Sequence, residues 1–306
     1  MEIYLAKPRG FCAGVSNAIN IVEYALKKFG APLYVFHEIV HNTAVVSDLR
    51  RRGVLFVEQI SEVPEGKYIV ISAHGVPPSV MEQARARKVR IIDATCPLVK
   101  KVHQEAARFS EKKYQIILIG HRGHQEVIGT SGYIHADLLH IVETEQDIPD
   151  LKIRPEQPVA YLTQTTLSVD ETRHLVEKIK EKFPRLVGPA KEDICYATQT
   201  RQDAVKALAR LCDVIIICGS ANSSNSNRLR ETGERQGVPS YLIDRAEDLD
   251  LNILKGKNKI GISSGASVPA YITEQLVSRI QSENSGVKVF SCDNPDEKIS
   301  FSLPQI

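Results

Sequence analysis

Ile91–Glu105 reads IIDATCPLVKKVHQE. A β-branched apolar run closes at Asp93, Cys96 follows, and Pro97 opens a stretch whose apolar residues recur at helical spacing. The segment therefore predicts a strand, a corner and a helix, with the thiol at the corner. A cysteine that only fills a core needs no such place, whereas a strand-to-helix corner is where ligands are met in α/β sheets.

The same alternation runs through the chain. Short apolar runs, IYLA (3–6), PLYVFHEIV (32–40), YIVISA (68–73), VRIIDA (89–94), QIILIG (115–120), PVAYLT (158–163), DVIIICG (213–219) and KIGISS (259–264), each end in a polar loop and alternate with amphipathic stretches. This pattern predicts an α/β protein built on parallel sheets. With 306 residues the chain exceeds what one core usually spans, so two or three domains are expected.

Aligned by their loops, the runs form a repeat. Cys12 opens a helix, His41 follows in a first loop and His74 in a second. Cys96 is followed in the same order by His124 and Thr165, and Cys195 by Ser223 and Ser267. The cysteine-to-second-loop distances are 62 residues (12 to 74), 69 (96 to 165) and 72 (195 to 267), a drift that loop insertions accommodate. Three domains follow, at 1–95, 96–194 and 195–283, with 284–306 returning to the first. A pseudo-threefold arrangement brings the three thiols together at the centre.

Helix N-termini favour the thiolate that metal binding needs. Three soft ligands far apart in sequence suit an iron-sulfur cluster with one iron lacking a protein ligand. Zinc with a fourth ligand is the competing reading, and unligated core thiols the third. Cys212 and Cys218, in LCDVIIICG, are expected to be core. Cys292 ends a strand-like stretch with no helix after it and is left out of the site. The six cysteines form no CxxC pair and fit a reducing compartment.

His41, His74, His124, Ser223, Asn225 and Ser267 stand ahead of expected helix N-termini, a donor set suited to an anion such as phosphate. No GxxxxGK[ST] motif and no GxGxxG after a strand is present, which argues against nucleotide triphosphate and dinucleotide sites. Glu126, two residues from His124, is the carboxylate in this set of loops and a candidate proton donor. With 39 basic against 37 acidic side chains, the net charge of +2 leaves no bulk electrostatic case for nucleic acid. Neither a secretory leader nor an apolar run long enough to span a membrane is legible, so a cytoplasmic protein without a membrane partner is expected.

PRGFCAGV (8–15), HEIVHN (37–42), SAHGV (72–76), DATCPLV (93–99), GHRGHQE (120–126), TQTTLSV (163–169), DICYAT (193–198), SSNSNRL (223–229) and GAS (265–267) occur in an order that resembles the LytB/IspH family, the 4-hydroxy-3-methylbut-2-enyl diphosphate reductases of the non-mevalonate isoprenoid pathway. The likeness extends to about residue 280, and nine ordered motifs make it specific. It departs at Gln125, where a proline is expected, and at Arg122 between the glycines of that loop.

The resemblance implies three α/β domains around a 4Fe-4S cluster held by Cys12, Cys96 and Cys195, which loss of the open iron would leave as a 3Fe-4S form. It implies substrate contacts from His41, His74, His124, Thr165, Ser223, Ser224, Asn225 and Ser267, with Glu126 as proton source. The implied reaction removes an allylic hydroxyl reductively, giving isopentenyl and dimethylallyl diphosphate. The chain carries no flavin or nicotinamide motif, so a ferredoxin or flavodoxin is the expected electron donor. A non-redox dehydratase and a cluster-based sensor are the rival classes.

Overall fold

The computed structural model describes residues 1–154, 156–284, 286–292, 297 and 299–302. Among them the strands and helices run β1 (Glu2–Leu5), α1 (Ala13–Phe29), β2 (Leu33–Phe36), α2 (Thr43–Arg51), β3 (Val54–Val57), β4 (Tyr68–Ile71), α3 (Pro78–Ala86), β5 (Arg90–Asp93), α4 (Pro97–Glu111), β6 (Gln115–Ile119), α5 (Gln125–Ser131), β7 (Leu139–Val142), β8 (Val159–Thr163), α6 (Val169–Lys182), α7 (Tyr196–Ala209), β9 (Val214–Cys218), α8 (Ser224–Arg235), β10 (Ser240–Ile243), β11 (Lys259–Ser264), α9 (Ala270–Glu283) and β12 (Lys288–Ser291). They form three sheets, ordered β10-β9-β11-β1-β12, β3-β2-β4-β5 and β7-β6-β8, with all strand pairs parallel. No described helix is long and apolar enough to cross a membrane.

The chain divides into two compact units. One holds Met1–Ser16, His41–Asp48 and Tyr196–Phe301, and the other Asn17–Val40 and Leu49–Cys195. In the first, the five-stranded sheet is covered on both faces. Val214, Ile216 and Cys218 of β9 enter one apolar cluster, while Ile215 and Ile217 between them enter the other. In the second unit β6 divides likewise, Ile117 and Ile119 against Ile116 and Leu118. Two-sided burial explains why these strands read as unbroken apolar runs. Each such isoleucine contributes about 2 kcal/mol.

The sheets share one order that corrects the frame of the sequence repeat. In each, the strand leading to the first loop (β9, β2, β6) lies beside the strand leading to the second loop (β11, β4, β8). On the far side of that second strand stands the segment leading to a cysteine: β1 before Cys12, β5 before Cys96, and a bridge from Val187 to Ala160 before Cys195. The structural unit is thus first loop, second loop, cysteine. β1 completes the last sheet and does not join the strands of 33–93. β12 pairs with β1 in that same sheet, and the rest of the expected return of 284–306 falls largely outside the described residues.

α4 shows how the sequence builds a corner. Cys96 caps it and Pro97 occupies the first turn, where its missing N–H costs nothing. Val102, Ala106 and Phe109 then bury one stripe against β6 and β8. His103, on the same helix, lies under the second loop, where Gly75 has φ +74° and a Cβ would stand 2.5 Å from the imidazole Cε1. Gly75→Ala therefore meets both a backbone and a steric penalty and is expected to cost about 2 kcal/mol or more in urea denaturation. An unchanged midpoint would contradict this packing.

Candidate functional site

Cys12, His41, Ser223, Ser224, Asn225 and Ser267 lie in the first unit, and Cys96, Cys195, His74, His124, Glu126 and Thr165 in the second. All three candidate cysteines lie outside any disulfide and are partly exposed, each immediately ahead of a helix. Among the described residues no three His, Cys, Asp or Glu side chains are grouped tightly enough to hold one metal ion.

In the second unit the polar candidates form one connected edge. His124 caps α5, its Nδ1 accepting the Glu126 N–H at 3.1 Å, and its ring meets that of His74 edge to face at 6.0 Å. Glu126 is 2% exposed. Its carboxyl accepts the Thr165 N–H at 2.5 Å and the Thr165 hydroxyl at 2.9 Å. Burial pushes this carboxyl up to about 7 against the pull of the Thr165 bonds, and nearby Asp193 adds to the rise. The Cys195 N–H donates to the Thr165 carbonyl at 3.1 Å, and the Cys96 N–H to the Ala73 carbonyl, beside His74, at 3.0 Å.

In the first unit Ser223 caps α8, accepting the Ser226 N–H at 3.3 Å. The Asn225 Oδ1 accepts the Ala266 N–H at 2.9 Å, and Ser267 Oγ donates to the His41 carbonyl at 3.0 Å. Asn225 is 5% exposed, yet its amide Nδ2 has no partner among the described residues. A buried donor left unpaired beside a helix N-terminus suits an incoming anion. The Cys12 N–H donates to the Ala266 carbonyl at 3.1 Å, and Cys12 Sγ accepts the Val15 N–H at 3.5 Å.

One tether thus occurs three times: the cysteine amide bonds to a carbonyl of the adjacent second loop, at Ala266, Ala73 and Thr165. First loops share a feature too, since Asn42, His124 and Ser223 each cap the helix that follows by accepting an N–H. The remaining thiols differ. Burial pushes Cys212 and Cys218 up to about 12, which leaves them inert core thiols as expected.

Sequence reasoning missed several bonded polar groups. Asp193 is 3% exposed, accepts the Thr163 N–H at 3.0 Å and pairs with Lys101 at 3.1 Å. Gln164 is 1% exposed and accepts the His121 N–H at 3.1 Å. Asp244 accepts from both Thr43 and Ser220, fastening the start of α2 to the end of β9. Asp193 stood in the DICYAT stretch, but its partner lies 92 residues away and no local pattern announces it.

Three parallel sheets, cysteine corners tethered to polar second loops, and first loops that cap the helices after them define a three-sheet α/β protein. Residues 3–281 match the family described as LytB protein, and the chain belongs to that family. It is 51% identical over 304 residues to a 4-hydroxy-3-methylbut-2-enyl diphosphate reductase of Azoarcus sp., covering 99% of this chain and 97% of that one. It is 48% identical to the protein of the same name from Nitrosomonas europaea, covering 100% and 97%. Among solved structures, the E-1-hydroxy-2-methyl-but-2-enyl-4-diphosphate reductase of Plasmodium falciparum superposes with a TM-score of 0.94 at 40% identity, over 99% of this chain and 95% of that chain. A structure described as the terminal enzyme of the non-mevalonate pathway matches at 37% identity with a TM-score of 0.66, over 92% and 99%.

The raised Glu126 carboxyl has a stability signature. Its folded value of about 7 exceeds the ordinary 4.5, so the native state binds the proton more tightly. The group costs nothing below about 4.5 and opposes folding increasingly as pH rises towards 7, by on the order of 3 kcal/mol once the shift is converted. Glu126→Gln is expected to gain stability relative to the parent between pH 5 and pH 8 in thermal unfolding. A constant difference across that range would show that Glu126 titrates normally.

Proposed function

We propose that the chain reduces (E)-4-hydroxy-3-methylbut-2-enyl diphosphate to isopentenyl and dimethylallyl diphosphate. Two electrons and two protons are consumed, and the allylic hydroxyl leaves as water. The observation that carries the reading is the tether repeated at Cys12, Cys96 and Cys195, which fixes each thiol against a polar second loop. The names borne by relatives at about half identity point the same way.

The donor set fits a 4Fe-4S cluster. Three cysteines outside any disulfide stand at helix N-termini, one already accepting a backbone N–H, and a reducing cytoplasm would keep them reduced. When bound, such a cluster passes electrons singly and offers an iron without a protein ligand. Cys12, Cys96 and Cys195 are its ligands in this reading, and the three sheets mark three related domains that each deliver one.

The residues of the chain account for the rest. Asn225 Nδ2, Ser223, Ser224 and Ser267, with His41, His74 and His124, hold the diphosphate, so binding energy is gained away from the reacting carbon. Glu126 is poised near neutrality to carry the proton for the departing oxygen. Protonated at Oε2, it donates to the Thr165 hydroxyl, which turns to pass a proton outward. An external one-electron protein, a ferredoxin or flavodoxin, supplies the electrons.

Anaerobic oxidation of a reduced viologen by the iron- and sulfide-loaded protein tests the reading. Substrate-dependent oxidation is expected, with Cys96→Ser losing iron and Glu126→Gln keeping iron and diphosphate binding while losing at least about 100-fold in turnover. Oxidation independent of substrate, or turnover without reductant, would refute it in favour of a dehydratase or sensor. Asn225→Leu is expected to weaken inhibition by inorganic pyrophosphate about tenfold or more, since it removes the unpaired donor. Unchanged inhibition would remove Asn225 from the anion site.

A further inference from the structure

Two of the cysteine helices carry a cation on their second turn, and each cation grips the segment that leads into another cysteine. Lys101 of α4 stands five residues after Cys96. Its side chain is 27% exposed, and its ammonium donates to the Lys191 carbonyl, to the Glu192 carbonyl at 3.1 Å and to Asp193 Oδ1 at 3.1 Å. One turn on, Glu105 accepts the Ala190 N–H at 3.3 Å. The α4 helix thus holds the approach to Cys195 through residues 190–193.

Arg201 of α7 stands six residues after Cys195 and is fully buried. Its guanidinium donates to the Gly10 carbonyl at 2.8 Å, to the Ala197 carbonyl at 3.0 Å and to Glu297 at 2.6 Å. Gly10 is held from its other side as well, its N–H donating to Ser264 Oγ at 2.8 Å, and its φ of +74° suits glycine. The α7 helix thus fixes the backbone two residues ahead of Cys12.

We propose that Lys101 and Arg201 are positioning residues that preset the corners of Cys195 and Cys12, so that the thiols stand ready before iron arrives. The proposal rests on the cluster reading above. A surface lysine would contribute little, but here the partner Asp193 is wholly buried and the other acceptors are backbone carbonyls of a connecting segment. Without the cations, the Lys191, Glu192 and Gly10 carbonyls lose these donors, and the approaches to Cys195 and Cys12 keep the bonds at Ala190, Asp193 and the Gly10 N–H.

The two cations differ in what can replace them. Lys101 meets three acceptors around one nitrogen, a task a guanidinium also performs, whereas Arg201 spreads two nitrogens over acceptors on three segments, which a single ammonium does not span.

The test compares Lys101→Met, Lys101→Arg, Arg201→Met and Arg201→Lys. It reads amide hydrogen exchange at Cys195 and Cys12 in the iron-free chain, and the half-life and electron paramagnetic resonance spectrum of the loaded chain under an iron chelator. Lys101→Met is expected to speed exchange at Cys195 and not at Cys12, and to shorten the cluster half-life about tenfold or more. Lys101→Arg is expected to restore both. Arg201→Met and Arg201→Lys should both loosen Cys12 selectively. The double variant Lys101→Met with Asp193→Leu removes both charges, avoids an uncompensated buried carboxylate, and is expected to loosen Cys195 in the same way.

Exchange at Cys195 and Cys12 unchanged from the parent, or raised equally at both in every variant, would overturn the proposal even if the parent holds its cluster. A parent that takes up no iron and sulfide would sink the cluster reading, while the exchange measurement would still decide whether the cations position the corners.

Discussion

Each candidate cysteine donates its backbone N–H to a carbonyl on the loop of the neighbouring strand, and the rest of the site is arranged around that bond. It fixes the thiol at a helix N-terminus, where the helix dipole favours negative charge. It also sets the distance between the thiol and the polar side chain of the same loop: Ser267 beside Ala266, His74 beside Ala73, and Thr165 itself. A parallel sheet makes this possible, because neighbouring parallel strands end at the same edge and their loops meet there. The sheet order is the same in all three cases, so one strand arrangement yields one tether each time.

Most of this was legible in the sequence. Eight apolar runs gave eight strands because two-sided burial writes itself as an unbroken apolar stretch. β3, β7 and β10 escaped notice. They lie at sheet edges, and Leu55 and Tyr241 face solvent at 46% and 40% exposure, which breaks the pattern. The repeat was visible, but its frame was off by one strand. Reading from the first residue assigned β1 to the strands that follow it, whereas β1 closes the last sheet. A linear sequence does not display that closure.

The site was legible where chemistry is local and silent where it is tertiary. Ser223 and Asn225 were expected ahead of a helix N-terminus, and Ser223 does cap α8, but Asn225 turning to the Ser267 loop is a contact across 41 residues. Glu126 was marked by its neighbour His124, while the burial that raises its proton affinity comes from the surrounding fold. Lys101 and Arg201 on helices and Asp193 in a loop carried no signal, because a charged residue reads as solvated until its partner is known. Burial raises the proton affinity of both Glu126 and Asp193, a cost to folding near neutral pH that the sequence does not display.

The most direct test of the account is alkylation of the cysteines under anaerobic conditions, mapped by mass spectrometry with and without bound iron and sulfide. Protection of Cys12, Cys96 and Cys195 together on loading, with Cys292 equally reactive in both states, is the result the account predicts. Loading that leaves any one of the three as reactive as before, or that protects Cys292 in its place, would contradict it.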